Sequence, residues 1–262
     1  MIKKYIVLGS CRVVNIIATE IGDNVIVLNK NDLWFTHYPD EHIQKIKHLF
    51  GVGLIPNEHK DIFVRFEQQN QYGNYPQLRV GDSIDSGMAE FHNNVNSEVL
   101  NVAVELPTTR YIKVPINNEI LWGHIMNLDR IRSSPFNQTG GNYTDEEFLR
   151  VLNDFEQVVI NSVLSSEVAK AVNFIYVPHI PFIELKEGGW GMSNERVHIF
   201  DLIRQHCFNN ADESSFPVTR CSLDIKVMIE ENGGVDGMLT DQNHYTKQGQ
   251  KVVFNYLNKL AL

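Results

Sequence analysis

The stretch Tyr5-Ile6-Val7-Leu8-Gly9-Ser10-Cys11-Arg12-Val13-Val14-Asn15-Ile16-Ile17 decides the fold. Tyr5 to Leu8 is a short apolar run of β type, closed by Gly9-Ser10-Cys11. Val13, Val14, Ile16, Ile17 and Ile21 then recur at helical spacing up to Gly22. Asn24 to Leu28 reads as a second strand. Strand, tight turn, helix and strand in this order seed a parallel sheet, because parallel neighbours need a crossover and a helix supplies it.

The same alternation returns further along. Val102 to Leu106 reads as a strand broken by Pro107, and Asn173 to Val177 as another ended by Pro178. Between them Thr144 caps a helix, with Glu147 completing a capping box. Phe148, Val151, Leu152, Phe155, Val158 and Val159 form its apolar stripe. Asn194 to Cys207 reads as a helix, and Met238-Leu239 as a last short strand in the parallel sheet. Thr246 to Leu260 closes the chain as a helix burying Val252, Val253, Tyr256, Leu257 and Leu260. Ser133 to Tyr143 reads as a loop. Residues from about 29 to 95, which include a helical Glu41 to Phe50 and a polar Gln68 to Gln77, read as an insertion or cap on one domain spanning 1–262. The expected fold is α/β: a three-layer sandwich around a central, mainly parallel sheet.

Composition narrows the function classes. The 262 residues carry a net charge of −9 and a pI near 5.6, which argues against a nucleic-acid backbone binder. No apolar run approaches the ~20 residues of a membrane span. The N-terminus has no secretory apolar stretch, so a cytoplasmic location is expected. Cys11, Cys207 and Cys221 are sparse and odd in number, which suits neither a disulfide framework nor a zinc site. The histidines show no close metal-ligand spacing, so no metal is expected. Cys207 and Cys221 are expected to be structural and unpaired.

Two segments carry chemistry. Cys11 stands where a strand gives way to a helix, beside N–H groups and the positive end of the helix dipole, which favour a thiolate. The same letters also fit a tight turn with a small buried thiol. Asp241-Gln242-Asn243-His244 precedes the last helix. A carboxylate three residues ahead of a histidine can orient the imidazole and stabilise its protonated form, which makes His244 a general base. Cys11 and His244 are expected to meet in one pocket. The other candidates for oxyanion or substrate binding are Ser10 and Arg12, Thr108 or Asn127, and His179 at a strand end. Gly188-Gly189-Trp190-Gly191 reads as a loop over the site or as a turn. Arg110 and Arg196 read as anion holders or as solvated residues.

Together the two segments resemble the SGNH (GDSL-type) hydrolase superfamily. Its nucleophile follows the first strand, and its Asp-x-x-His precedes the C-terminal helix. Aligning Gly9-Ser10-Cys11 with that family's Gly-Asp-Ser puts Cys11 at the nucleophile. This is closer to the cysteine-bearing GSCFA-domain proteins and to the capsule-polysaccharide acetyltransferase-like branch, which starts with a Gly-Asn-Cys turn. The resemblance implies a flavodoxin-like SGNH fold. It also implies an acyltransferase or esterase acting on a glycan or other hydroxylated small molecule. No cofactor would be bound tightly, and a coenzyme A thioester would serve as acyl donor. The loop Pro107-Thr108-Thr109-Arg110 lacks the family's oxyanion signature. A serine esterase using Ser10, or Ser83 in a literal Gly81-Asp82-Ser83, stays open, as does a non-catalytic binding protein of the same fold. The oligomeric state is open too.

Overall fold

The computed structural model describes residues 2–19, 24–29, 36–53, 97–116, 119–122, 139–209 and 216–262, with Cys11 traced through its backbone. The apolar opening forms β1 (Lys3–Leu8), which pairs in parallel with β2 (Val25–Val27) on one side and β3 (Ser97–Leu106) on the other. β7 (Ala169–Pro178) lies beyond β3, and β10 (Val218–Ser222) beyond β7, again in parallel. Numbered by themselves, the strands of this five-stranded sheet run 2-1-3-4-5. That is the flavodoxin-like order. Its crevice opens where the windings diverge, at the C-terminal ends of β1 and β3.

Side chains alternate across each strand, so the sheet builds a core on either face. Ile6, Leu8, Val102, Val104, Phe174 and Tyr176 pack under α2 (Pro39–Leu49), α3 (Asp145–Ser166) and α4 (Asn194–Asn209). Tyr5, Val7, Ala103, Ile175 and Val177 pack under α1 (Cys11–Thr19), α5 (Ile225–Glu231), α6 (Gly234–Met238) and α7 (Lys247–Leu260). Each such fully buried apolar side chain contributes about 1.5–3 kcal/mol. The three-layer sandwich is therefore the observed architecture.

Local signals hold where expected. Thr144 caps α3 through its hydroxyl, and the Glu147 carboxylate accepts the Thr144 N–H at 2.9 Å. Val252, Val253 and Leu257 are buried on α7, with Tyr256 and Leu260 partly so.

Three readings need correction or sharpening. Leu239–Asp241 is a strand, β11, but it does not join the parallel sheet. It pairs antiparallel with β12 (His244–Tyr245) as a separate ribbon. Thr139–Asn142, expected as loop, forms β6 beside β4 (Arg110–Ile116), which also pairs with β5 (Glu119–Trp122) in an antiparallel sheet. In the run Thr-Gly-Gly-Asn only the threonine favours a strand, so it is the pairing with β4 that makes it one. Of the segment 29–95, the described part includes α2, whose Ile46 and Leu49 are fully buried against the main sheet's core. Gln68–Gln77, Gly81-Asp82-Ser83 and Asn127 lie outside the described residues. Among the described residues no helix is long and apolar enough to cross a membrane.

Candidate active site

At the end of β1 the chain must turn sharply into α1 against β3. Gly9 has φ +147°, and a Cβ there would sit 2.6 Å from Glu105 Cβ, so no other residue fits. The Glu105 carboxylate locks the turn. Its Oε2 accepts the Ser10 N–H at 2.7 Å and the Ser10 hydroxyl at 2.5 Å, and its Oε1 accepts from Arg12 Nε. The Ser10 carbonyl accepts the N–H groups of Val13 at 3.2 Å and Val14 at 3.0 Å, and its Oγ accepts that of Arg12 at 3.3 Å. From α2, His42 donates Nε2–H to the Glu105 carbonyl at 2.8 Å. Burial pushes His42 down to about 4, so it does this as a neutral ring.

Cys11 is thus the first residue of α1, on a turn held rigidly at the switch point of the sheet. Ser10, considered as nucleophile or oxyanion donor, lies under this turn. It is 1% exposed, with both donors given to Glu105. Arg12 does hold a carboxylate, but it is the protein's own Glu105. Thr108 lies past β3, and its Oγ1 accepts the Arg110 N–H at 3.2 Å within the same turn.

The second segment lies on the β11–β12 ribbon. Asp241 grips His244 Nδ1 with both oxygens, at 2.9 and 2.8 Å, and also accepts the Asn243 N–H at 2.7 Å. Burial alone would raise the Asp241 carboxyl; the His244 ring and the Asn243 N–H outweigh it and hold the group below its usual range. Nδ1–H is therefore the donor to Asp241, and Nε2 is the nitrogen that can take a proton. Both side chains are open to solvent, at 47% for His244 and 41% for Asp241. Next to them Tyr245 is buried. Its hydroxyl is pushed up by burial and then by the Glu105 charge, while Arg12 pulls it down. The ribbon therefore lies within electrostatic reach of the Cys11 turn.

His179, just past β7, is buried. Burial drives it well below the usual range, helped by the charges of Arg12, Arg196 and His37. Its Nδ1–H donates to the Ile180 carbonyl at 3.0 Å. A neutral ring in that tautomer offers Nε2 as an acceptor, so His179 suits a hydroxyl and not an oxyanion. The glycine-rich segment runs from the turn of a hairpin (Gly188-Gly189) into its second strand: β8 (Phe182–Glu184) pairs with β9 (Trp190–Met192), and Trp190 Nε1 donates to Asp236 at 3.1 Å. Cys207 and Cys221 are free thiols pushed up by burial to about 12 and about 11, so neither is reactive near neutral pH.

Glu105 was missed from the sequence. The signal was available: a charged residue inside an otherwise apolar strand must be paired if that strand is central. Among the described residues no group of three or more His, Cys, Asp or Glu side chains is placed to hold a metal ion. Neither a protein family, nor a curated protein, nor a solved structure matches this chain.

Proposed function

We propose that the chain is an acyltransferase or esterase of SGNH-hydrolase type, acting on a glycan or other hydroxylated small molecule. Cys11 is the nucleophile, His244 the general base and Asp241 the group that orients it. The observation carrying this reading is the two-oxygen grip of Asp241 on His244 Nδ1, on a ribbon whose Tyr245 feels the charges of Glu105 and Arg12, the residues that hold the Gly9-Ser10-Cys11 turn.

The Cys11 thiol loses its proton to His244 Nε2, and the thiolate attacks the acyl carbonyl. The oxyanion collapses, the carbon–donor bond breaks, and the leaving group takes the proton back from His244. An acceptor hydroxyl, deprotonated by His244, then attacks the thioester and releases Cys11. The Arg12, Val13 and Val14 N–H groups are taken by Ser10, so the Cys11 N–H at the helix start is assigned the oxyanion. Thiol–thioester exchange is nearly balanced in energy, which favours an acyl-coenzyme A donor over an ester.

Iodoacetamide labelling near neutral pH tests the nucleophile, with the site read by peptide mass spectrometry. Fast modification of Cys11, lost in His244→Ala, is expected, together with an acetyl group on Cys11 after incubation with acetyl-coenzyme A. Labelling of a serine by a fluorophosphonate would point to Ser83 instead. Reaction with neither reagent would make this a binding protein of the same fold.

A further inference from the structure

Arg196 stands in the first turn of α4 and is half-buried. Its Nη1 donates to the carbonyls of Ile180 at 3.0 Å, Phe182 at 3.2 Å and Gln242 at 2.9 Å, and its Nη2 to Asn243 Oδ1 at 3.2 Å. Two of these acceptors belong to the segment leaving β7, and two to the β11–β12 turn. These four acceptors are neutral oxygens, so the guanidinium is used here for the shape of its donors. The turn it grips is the one that holds the base. Asn243 gives its own N–H to Asp241, which holds His244. The Ile180 carbonyl it shares is also the acceptor of His179 Nδ1–H.

Leu239 and Tyr245 anchor that ribbon in the core from below, while Asp241 and His244 stand outward at its turn. It pairs only within itself among the described strands, and it is tied from behind by Thr246, whose N–H and hydroxyl reach Met238 and Gly237 at 2.9 Å each. A two-stranded ribbon is marginal by itself, so its turn depends on contacts from outside the pair. We propose that Arg196 is the positioning residue of the site: it docks the Asp241–His244 turn onto the segment leaving β7 and so sets the base against Cys11. This rests on the acyl-transfer reading above.

Among the described residues the charged and titratable groups around the turn include Asp241, His244 and Tyr245 on the ribbon, Glu195 next to Arg196 on α4, Arg12 and Glu105 at the β1–β3 edge, His179 and His37 beside them, and Asp236 on α6. The test uses the full chain with Arg196→Met, Arg196→Lys and His244→Ala, each checked by circular dichroism and thermal midpoint. Iodoacetamide is the probe, and the rate of Cys11 modification is followed from pH 5 to 9. Removal of His244 is expected to abolish the His-dependent limb of the profile. Arg196→Met is expected to lower the rate at pH 7 by roughly tenfold, the size of a small misplacement of a reacting pair. Arg196→Lys keeps the charge and the aliphatic stem, which preserves folding, yet one ammonium cannot span four oxygens, so it should not restore the profile. If His244→Ala alters the profile but Arg196→Met or Arg196→Lys overlays the wild type, the positioning role is wrong while the mechanism stands. If His244→Ala also overlays the wild type, both fall.

Discussion

Glu105 illustrates what a single residue does here. Its carboxylate is 1% exposed, has three donors, and is the group facing the Arg12 guanidinium at the floor of the turn. Removing one member of a buried charge pair strands the other, which costs about 3–5 kcal/mol. Glu105→Ala is therefore expected to lower unfolding free energy by that amount in urea titrations, and to slow Cys11 labelling as the turn relaxes. Asp241→Asn is the opposite case. Both side chains are largely solvated, so the thermal midpoint should barely move, whereas the amide no longer enforces the Nδ1–H tautomer. Acyl transfer should fall at least about a hundredfold. An unchanged rate in Asp241→Asn would remove Asp241 from the mechanism.

At the scale of an element, α7 shows how packing overrides propensity. Gly249 lies in its first turn, and replacing glycine by alanine within a helix normally gains about 1 kcal/mol. Here a Cβ would come 2.3 Å from the Met238 carbonyl, which also accepts the Thr246 N–H at 2.9 Å. The clash is with backbone and cannot be relieved by a rotamer. Gly249→Ala is expected to lower the thermal midpoint and to displace the ribbon carrying His244. α2 is a second instance. Glu41 and Lys45 sit buried on it beside Ile46 and Leu49, so charged side chains share the interior with its apolar ones.

For the whole molecule, pH acts through groups that folding removes from water. Burial raises Asp40 from 3.8 to about 6, even though the Tyr143 hydroxyl donates to it at 2.6 Å. Its folded value lies above its unfolded one, so its contribution is full below about pH 4 and is lost as pH rises through 6. His42, pushed down to about 4, runs the other way: its contribution is full above about pH 6.5 and is lost as pH falls towards 4. Asp40→Asn keeps an acceptor for Tyr143 and removes the first dependence. Its stability relative to wild type should rise between pH 4 and pH 8 by about 2–3 kcal/mol, read from urea midpoints. A pH-independent difference would show that Asp40 is not desolvated as described. On the same sheet face Glu156 is buried, yet it is held below its usual range by His206, Tyr176 and Arg220. The stability it contributes is present above its unfolded value and is lost as pH falls through the lower folded one, which makes it an acid-denaturation trigger.

The sequence by itself determined the layers. Period-2 and period-3.6 apolar patterns are local, and Tyr5–Leu8, Phe148–Val159 and Val252–Leu257 each state which face must be buried. It also determined the adjacency of Asp241 and His244, because a spacing of three residues within a turn is itself a contact. It could not say that Met238-Leu239 would leave the parallel sheet, since β11 pairs with a strand only three residues ahead and no periodicity distinguishes that partner from a distant one. Nor could it say that Ser10 and Arg12 would be spent on Glu105, or that Arg196 would bridge two segments. Each of those pairings joins side chains from separate strands and loops, and their proximity exists only once the sheet has assembled.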